Sequence, residues 1–372
     1  MTAARNKRQH RARREFGFTL VELMVSVIIG MLLAGALVAI VVNSTSAYNV
    51  QLDHARVYEN ARFALEFLSR DVRMAGYFGC LENNQNVNNN LNFSNGSLYD
   101  IDEPVEGFEN DGNEAGWRPS GTSVSGLNVA TGSDAITLRF ANPTEAAKVE
   151  APSTPDSPID ADENGYVFST GEVVVVSDCD KADVVQLTDV DKSTNLLSHG
   201  MEGELSPGNA YDTLGGDLGD GYDTTGTVMT FNAVRYFVRK RDPGDTDANA
   251  AVALYRQHVG GSGVVITEEL IDGVENMQVM YGVDTDSDGV PNSYVKANAV
   301  GAWRNVVSLQ IALLLRSNEE YDSADGVAGA FPETLMGENL KTLLGDTEWE
   351  NRNALRVRRH AFSTTIELRN PL

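Results

Sequence analysis

The chain has 372 residues, a formal net charge of −24 and a pI near 4.5, and so acidic a protein lacks the basic surface that nucleic-acid binding requires. The charge is uneven, because residues 1–17 contain six Lys or Arg and one acid and carry +5, which leaves −29 for the remainder. This asymmetry predicts that the basic terminus and the acidic remainder occupy different environments, and the length suffices for one large domain or two modest ones.

The first predicted element is an apolar helix over residues 18–42, in which Glu22 is the only charged residue. About 20 apolar residues cross a bilayer as a helix, and the basic flank is expected to stay in the cytoplasm. A signal peptide cut at Ala34-Gly35-Ala36 is the alternative, but the acid interrupts its apolar region and the helical pattern continues beyond it. The sequence therefore predicts a single-pass membrane protein whose body lies outside the cytoplasm.

Glu22 is the unusual residue of this segment. An acid inside a spanning helix costs up to about 3 kcal/mol and by default indicates a functional site. A cut between Gly17 and Phe18 would create an α-amino group four residues before Glu22. A neighbouring copy shifted along its axis could then have its amine neutralised by this acid, so the predicted role is subunit assembly.

The helical pattern continues to about residue 77, and no proline occurs between Phe18 and Gly79. The second half of this helix is predicted to be amphipathic, because apolar residues recur at spacings of three and four. The predicted apolar face contains Tyr48, Leu52, Ala55, Tyr58, Ala61, Leu65, Leu68, Val72 and Ala75.

Cys80 follows the helix and Cys179 follows a hydrophobic run, and the chain contains no other cysteine. In an oxidising compartment the two are predicted to form a disulfide bond. Such a bond would close a loop of about 100 residues, worth up to about 4.7 kcal/mol by loop entropy. The alternative is two unpaired, buried thiols. Two distant cysteines without nearby paired histidines do not supply the ligands that zinc requires.

Residues 80–372 are predicted to be β-rich, since short β-branched runs alternate with segments rich in Gly, Asp, Ser and Pro. Two of these runs flank the turn-rich segment 241–250 and predict a hairpin. Surface loops are predicted at 81–97, 102–134 and 202–227. The alternating runs predict antiparallel strands packed on the long helix, an α+β fold. The predicted strands cover residues 135–140, 172–178, 183–188, 228–240, 251–259, 270–284, 304–317 and 360–370.

An acidic stretch follows the 270–284 run. Asp284, Asp286 and Asp288 alternate before a glycine, and Asn292 follows, which matches the first, third, fifth and ninth positions of a calcium-binding loop. Val295 stands where a bidentate glutamate is usual, so the last ligand must come from elsewhere. The pattern fits either a calcium-binding site, with calcium as the cofactor, or an acidic, solvated turn, and the sequence leaves both open.

The sequence GFTLVEL, which follows a short basic leader, resembles the class III signal of type IV prepilins. In that family a prepilin peptidase cuts after the glycine and N-methylates the new terminal phenylalanine, roles that fall here on Gly17 and Phe18. The resemblance implies a leader at 1–17, a helix at 18–78 with its membrane segment at 18–42, and a globular body at 79–372.

The C-terminal third contains LIDGVENMQVMYGVD, then Trp303, then the closing F-x-x-x-I-x-L-R-N, and in these it resembles PilW minor pilins and the shorter GspJ pseudopilins of type II secretion. The earlier segments LSRDVRMAGYFGC and VVVVSDCDKADVVQLT resemble PilW in particular. The PilW-like part is expected over about 228–372. The resemblance implies a minor pilin that moves from the inner membrane, with its body in the periplasm, to the pilus tip on the cell surface. There it would prime assembly and support adhesion and motility. The implied partners are the prepilin peptidase, other minor pilins, the major pilin and a tip adhesin.

Two alternatives remain, namely a type II secretion pseudopilin and a tip module that binds a surface or ligand directly. Catalysis is not expected, because the sequence contains no G-x-S-x-G, P-loop, Rossmann fingerprint or H-E-x-x-H motif. The five histidines are scattered along the chain. The sequence thus predicts an assembly protein rather than an enzyme.

Overall fold

The chain folds as two compact units, Met1–His54 and Ala55–Leu372. The predicted leader and the predicted cleavage site, Gly17 and Phe18, lie outside the described residues. The computed structural model describes residues 19–81, 86–93, 97–110, 124, 126–201, 205–215, 221–242, 244–245, 250–261, 263–317, 331–355 and 357–370.

A 55-residue helix, α1 (Leu20–Met74), is the first element. Its part in the first unit contains an 18-residue window of mean hydropathy 2.9 whose side chains are all exposed, so its length and composition suit a membrane span. The helix ends before Gly76, whose φ of +79° belongs to the left-handed region that terminates helices. The predicted end at 77–78 was therefore a few residues too late.

In the second unit, eleven strands of the described chain form one sheet. Adjacent strands follow the order β1-β6-β5-β9-β3-β4-β8-β7. In addition, β2 pairs with β3, and β10 lies between β9 and β11. All pairs are antiparallel except β1 with β6. The strands are β1 (Val87–Asn89), β2 (Val105–Phe108), β3 (Ala135–Ala151), β4 (Ile159–Ala161), β5 (Val173–Ser177), β6 (Ala182–Gln186), β7 (Asp189–Asp191), β8 (Leu196–Ser198), β9 (Thr227–Lys240), β10 (Val252–Val259) and β11 (Val265–Asp272).

A second, four-stranded antiparallel sheet has the order β13-β12-β14-β17. Within the described residues, short elements complete the unit, including 3₁₀ turns at Glu163–Val167, Ala297–Ala299 and Trp303–Asn305. The remaining elements are β12 (Val274–Val283), β13 (Ser293–Val295), β14 (Val306–Arg316), β15 (Thr334–Leu335), β16 (Glu338–Asn339), α2 (Leu340–Leu344), α3 (Asp346–Ala354) and β17 (Arg359–Glu367).

The amphipathic part of α1 in the second unit packs on both sheets, as predicted. Ala61, Leu68, Val72 and Ala75 of the predicted face are buried, and Val57 and Ala64, which lie beside that face, are buried as well. Tyr58 is 53% exposed and Leu65 is half-buried. Ala61 and Ala64 lie in the buried stripe, where small side chains let the helix approach the strands. The stripe consists of Val57, Ala61, Ala64, Leu68, Val72 and Ala75, in one core with side chains of β3, β9, β12 and β14.

The strand predictions are confirmed in outline, including the hairpin of β9 and β10. Three details were wrong. The predicted loop 81–97 contains β1, which pairs with β6. The predicted loop 102–134 contains β2, a buried strand that pairs Val105 with Leu138 of β3. The single run predicted at 270–284 divides at Gly273, whose φ is +80°, into β11 and β12. Trp303 lies in a 3₁₀ turn just before β14.

Candidate functional site

The start of α1 is organised by a reciprocal pair, Thr19 and Glu22. The Glu22 carboxylate oxygen Oε2 accepts hydrogen bonds from the Thr19 amide at 3.0 Å and the Thr19 hydroxyl at 2.9 Å. In return, the Glu22 amide donates to the Thr19 hydroxyl oxygen at 3.3 Å. This is the capping-box arrangement, in which a helix end satisfies its own unpaired donors.

This geometry holds the charged Glu22 carboxylate at the first turn of the helix. The carboxylate is exposed and lies at the positive end of the helix dipole, where a negative charge is favourable. The sequence interpretation missed Thr19 as its partner. The signal was available, since Thr-x-x-Glu before an apolar run is the capping-box pattern.

Two further hydroxyls in the first unit's part of α1 are also satisfied within the helix. The Ser26 hydroxyl donates to the Glu22 carbonyl at 2.6 Å, and the Thr45 hydroxyl donates to the Val41 carbonyl at 2.9 Å. In a bilayer, polar groups without water must find such internal partners. The apolar half of α1 is therefore compatible with a lipid environment.

The end of α1 is held by a buried polar contact. The Tyr236 hydroxyl on β9 donates to Asp71 Oδ2 at 2.5 Å, and both residues are buried. Burial raises the pKa of Asp71, although the Tyr236 bond and the nearby Arg70 and Arg256 oppose the rise. Beside this contact lies a half-open cavity of about 440 Å³, lined in part by Met74 and Arg256. No local sequence pattern predicts this contact.

The two cysteines form a disulfide bond in the second unit, with their Cα atoms 4.7 Å apart. Cys80 follows α1, and Cys179 follows β5 at the turn into β6. The segment after α1 approaches β5 closely at Gly79, where an added Cβ would lie 2.3 Å from the Ser177 hydroxyl oxygen. The bond links the end of the helix to a central strand pair of the large sheet.

The acidic loop after β12 brings three carboxylates together. One oxygen from each of Asp284, Asp286 and Asp288 lies within 4.8 Å of the others. Burial raises the pKa of Asp284, but its bonds from the amides of Gly289, Ser287 and Asp286 outweigh this and lower the pKa overall.

Asn292, the fourth predicted ligand, is engaged elsewhere. Its side-chain oxygen accepts from the Thr285 amide at 2.6 Å and from the Thr285 hydroxyl at 2.8 Å. The loop therefore brings three carboxylates together, and both calcium binding and the part of Asn292 in it stay predictions.

Two family models match the chain. Residues 235–370 match the family described as Type IV Pilus-assembly protein W, and residues 12–38 match the Prokaryotic N-terminal methylation motif. No curated protein sequence matches the chain. The first match runs from β9 through β17, and the second includes Gly17, Phe18 and the capped start of α1.

Proposed function

The chain belongs to the PilW family of type IV pilus minor pilins, and we propose that Glu22 brings it into the filament by pairing with a neighbouring subunit's N-terminal amine. The methylation motif implies processing by a prepilin peptidase and assembly with other pilins. The apolar half of α1 and this motif fit an inner-membrane anchor. Pilin-family domains are structural and non-enzymatic, so the mechanism concerns assembly.

The capped position of Glu22 is the observation that carries this proposal. The Thr19 donors hold its carboxylate at the first turn of the helix. These donors are neutral and the helix dipole supplies only a partial positive charge, so the full negative charge is not balanced in a hydrocarbon layer. A neighbour's terminal amine lies in the same layer once its chain is cut before Phe18. Pairing the two charges would remove the penalty and set the axial register of the two helices.

We also propose that the second unit contacts sister minor pilins in a complex that primes assembly at the filament tip. The major pilin would follow behind it, and a tip adhesin would support adhesion and motility. The disulfide and the Asp71–Tyr236 bond support this proposal, because they fix the helix to the sheets during extraction from the membrane. The match to a pilus-assembly family favours a pilus over a type II secretion machine.

Calcium at the acidic loop is a second proposal. The convergence of Asp284, Asp286 and Asp288 supports it, since Ca²⁺ prefers several carboxylate oxygens. Its proposed role is local, because neutralising three neighbouring carboxylates would stabilise the turn between β12 and β13.

The assembly proposal is tested by separating the charge of Glu22 from its capping role. Glu22→Gln keeps an oxygen that can accept from Thr19, since glutamine also serves in a capping box, but it removes the charge. Thr19→Val removes the hydroxyl and keeps the charge. Each variant is expressed at wild-type level, and its amount in sheared pili is compared with its amount in the membrane.

We expect Glu22→Gln to insert into the membrane normally. Its amount in pili should fall at least about tenfold, because the neighbouring subunit's terminal amine would be left unpaired. Thr19→Val and the exposed-site control Glu59→Gln should assemble close to wild type. Normal incorporation of Glu22→Gln would show that capping alone explains the acid, and the charge-pairing proposal would fall.

A further inference from the structure

The half-open cavity beside the Asp71–Tyr236 contact lies within the second unit, between the end of α1 and the strands β3, β9 and β10. Its volume of about 440 Å³ falls in the range that is typical of small-molecule sites. The buried side chains of Phe140 and Val234 and the half-buried side chain of Met74 form part of its lining. The interior therefore offers an apolar surface to a ligand of moderate size.

One wall of the cavity is a bulge in β3. The pairing of β3 with β9 skips Pro143, Thr144 and Glu145, and all three line the cavity. The Asn142 side-chain oxygen holds this bulge, because it accepts from the Thr144 amide at 3.1 Å and from the Thr144 hydroxyl at 2.7 Å. Bulges redirect side chains and are over-represented beside functional sites. Here the bulge places the exposed Glu145 at the rim.

Several polar groups of this lining have no protein partner. The Glu145 carboxylate makes no hydrogen bond or ion pair with any residue that the structure describes. The half-buried Asn232 side chain on β9 likewise has no partner within the described ranges. Such groups are available to a ligand that enters the cavity.

The two arginines of the lining differ in how firmly they are held. Arg256 is fixed by Glu268, whose Oε1 accepts from its Nε at 3.0 Å and from its Nη2 at 2.6 Å. The Arg70 side chain is 76% exposed, and its Nε lies 3.7 Å from Asp71 Oδ1. An exposed pair at this distance contributes little. The Arg70 guanidinium can therefore turn to a ligand carboxylate, which it can bind with two parallel hydrogen bonds.

The rim thus presents a carboxylate, Glu145, and a guanidinium, Arg70, beside an apolar interior. A ligand with only a negative charge would face Glu145, and a ligand with only a positive charge would face Arg70, and like charges in contact are unfavourable. A zwitterion satisfies both groups. A free α-amino acid carries a carboxylate, an ammonium group and a side chain that can enter the apolar interior.

We propose that this cavity binds a free α-amino acid with an apolar side chain. Its carboxylate binds Arg70, its ammonium group binds Glu145, and its side chain packs on Phe140, Val234 and Met74. Because Arg70 belongs to α1 and Glu145 to β3, the bound amino acid joins the end of the helix to the large sheet. This site is separate from Glu22 and does not depend on the assembly role.

The test measures binding to the detergent-solubilised full chain. Each common L-amino acid is added in turn, and the shift of the thermal midpoint identifies the strongest ligand. Isothermal titration calorimetry then compares this amino acid with its amide, which lacks the carboxylate, and with its N-acetyl form, which lacks the ammonium group. The variants Arg70→Gln and Glu145→Gln remove the two rim charges. Their thermal unfolding without ligand confirms that they are folded.

We expect an apolar amino acid to bind, and both derivatives to bind at least about tenfold more weakly. Arg70→Gln and Glu145→Gln should each raise the dissociation constant at least about tenfold, because each loses a charge-assisted hydrogen bond. The matched controls are Arg73→Gln and Glu150→Gln, at exposed positions of the same helix and strand that do not line the cavity. They should bind like the wild type.

Three results would overturn the proposal. Equal binding of the amide would make the cavity a cation site, and equal binding of the N-acetyl form would make it an anion site. A thermal midpoint that no amino acid raises would show that the cavity holds only solvent.

Discussion

The two ends of α1 each carry one acid, and the two acids are held in opposite ways. Glu22 is exposed and bonded to Thr19, three residues away. Asp71 is buried and bonded to Tyr236, 165 residues away along the chain. A local bond on an exposed side chain can be exchanged for a neighbour's contact without unfolding, whereas a buried long-range bond cannot. The start of the helix is thus suited to assembly and its end to stability.

The disulfide bond that follows the buried end of α1 should have the largest effect on stability. Replacing both Cys80 and Cys179 with serine is expected to lower the free energy of unfolding by about 2–5 kcal/mol. Urea unfolding of the detergent-solubilised full chain measures the change. The control is a reducing agent, which should weaken the wild type and leave the double variant unaffected. Equal stability of oxidised and reduced wild type would contradict this prediction.

Two leucines of the same helix sharpen the comparison. Leu68 is 0% exposed in the second unit, so Leu68→Ala is expected to cost about 2–5 kcal/mol. Leu52, 41% exposed in the first unit, is the matched control, and Leu52→Ala should stay within about 0.5 kcal/mol. The same urea experiment measures both. Similar losses for the two variants would erase the distinction between the two parts of the helix.

The Asp71–Tyr236 contact should show itself through pH. Burial raises the pKa of Asp71 in the folded state, so its contribution to stability is greatest below its unfolded pKa and is lost as pH rises through the folded pKa. Tyr236→Phe removes a donor to the carboxylate and should cost about 1–3 kcal/mol. The cost should be larger at pH 8 than at pH 4. Tyr211→Phe, at an exposed tyrosine, is the control. A loss of stability that does not change with pH would show that the contact contributes through packing alone.

Calcium should give the smallest effect, because the acidic loop is a local feature. At ten times its dissociation constant, a bound ion would stabilise the fold by about 1.4 kcal/mol. The thermal midpoint should rise with Ca²⁺ and return with a chelator. Asp286→Asn should reduce the response, whereas Asp160→Asn, outside the loop, should leave it unchanged. An identical midpoint with and without Ca²⁺ would show that the loop is a solvated turn that does not bind calcium.

The sequence predicted the long helix, the hairpin and the α+β class, because periodicity and turn chemistry act over short distances. Its prediction of the buried face was wrong in part. Two overlapping stripes, one through Tyr58 and one through Val57, both fit a helical period. The choice between them depends on the shape of the sheets, where Ala61 and Ala64 allow a close approach.

Long-range pairings account for most of what the sequence did not predict. β2 lies in a segment with a loop-like composition and exists because β3 supplies its partner residues. Asp71 and Tyr236 are unremarkable in the sequence, since their contact joins distant positions. At the candidate site, Glu22 and the acidic cluster were predicted from local motifs, and Thr19 could have been. The bond from the Thr285 amide to the Asn292 side-chain oxygen was not predicted, because the loop motif does not specify it.

The most direct test of the account is to trap the partner of Glu22. Piliated cells are treated with an apolar carbodiimide, which joins a carboxylate to an amine in contact with it, and the linked peptides are identified by mass spectrometry. Pairing predicts a bond from Glu22 to the N-terminal residue of another subunit, absent in Glu22→Gln and retained in Thr19→Val. Incorporation into pili with Glu22 unlinked, while other contacting acid–amine pairs are linked, would contradict the account.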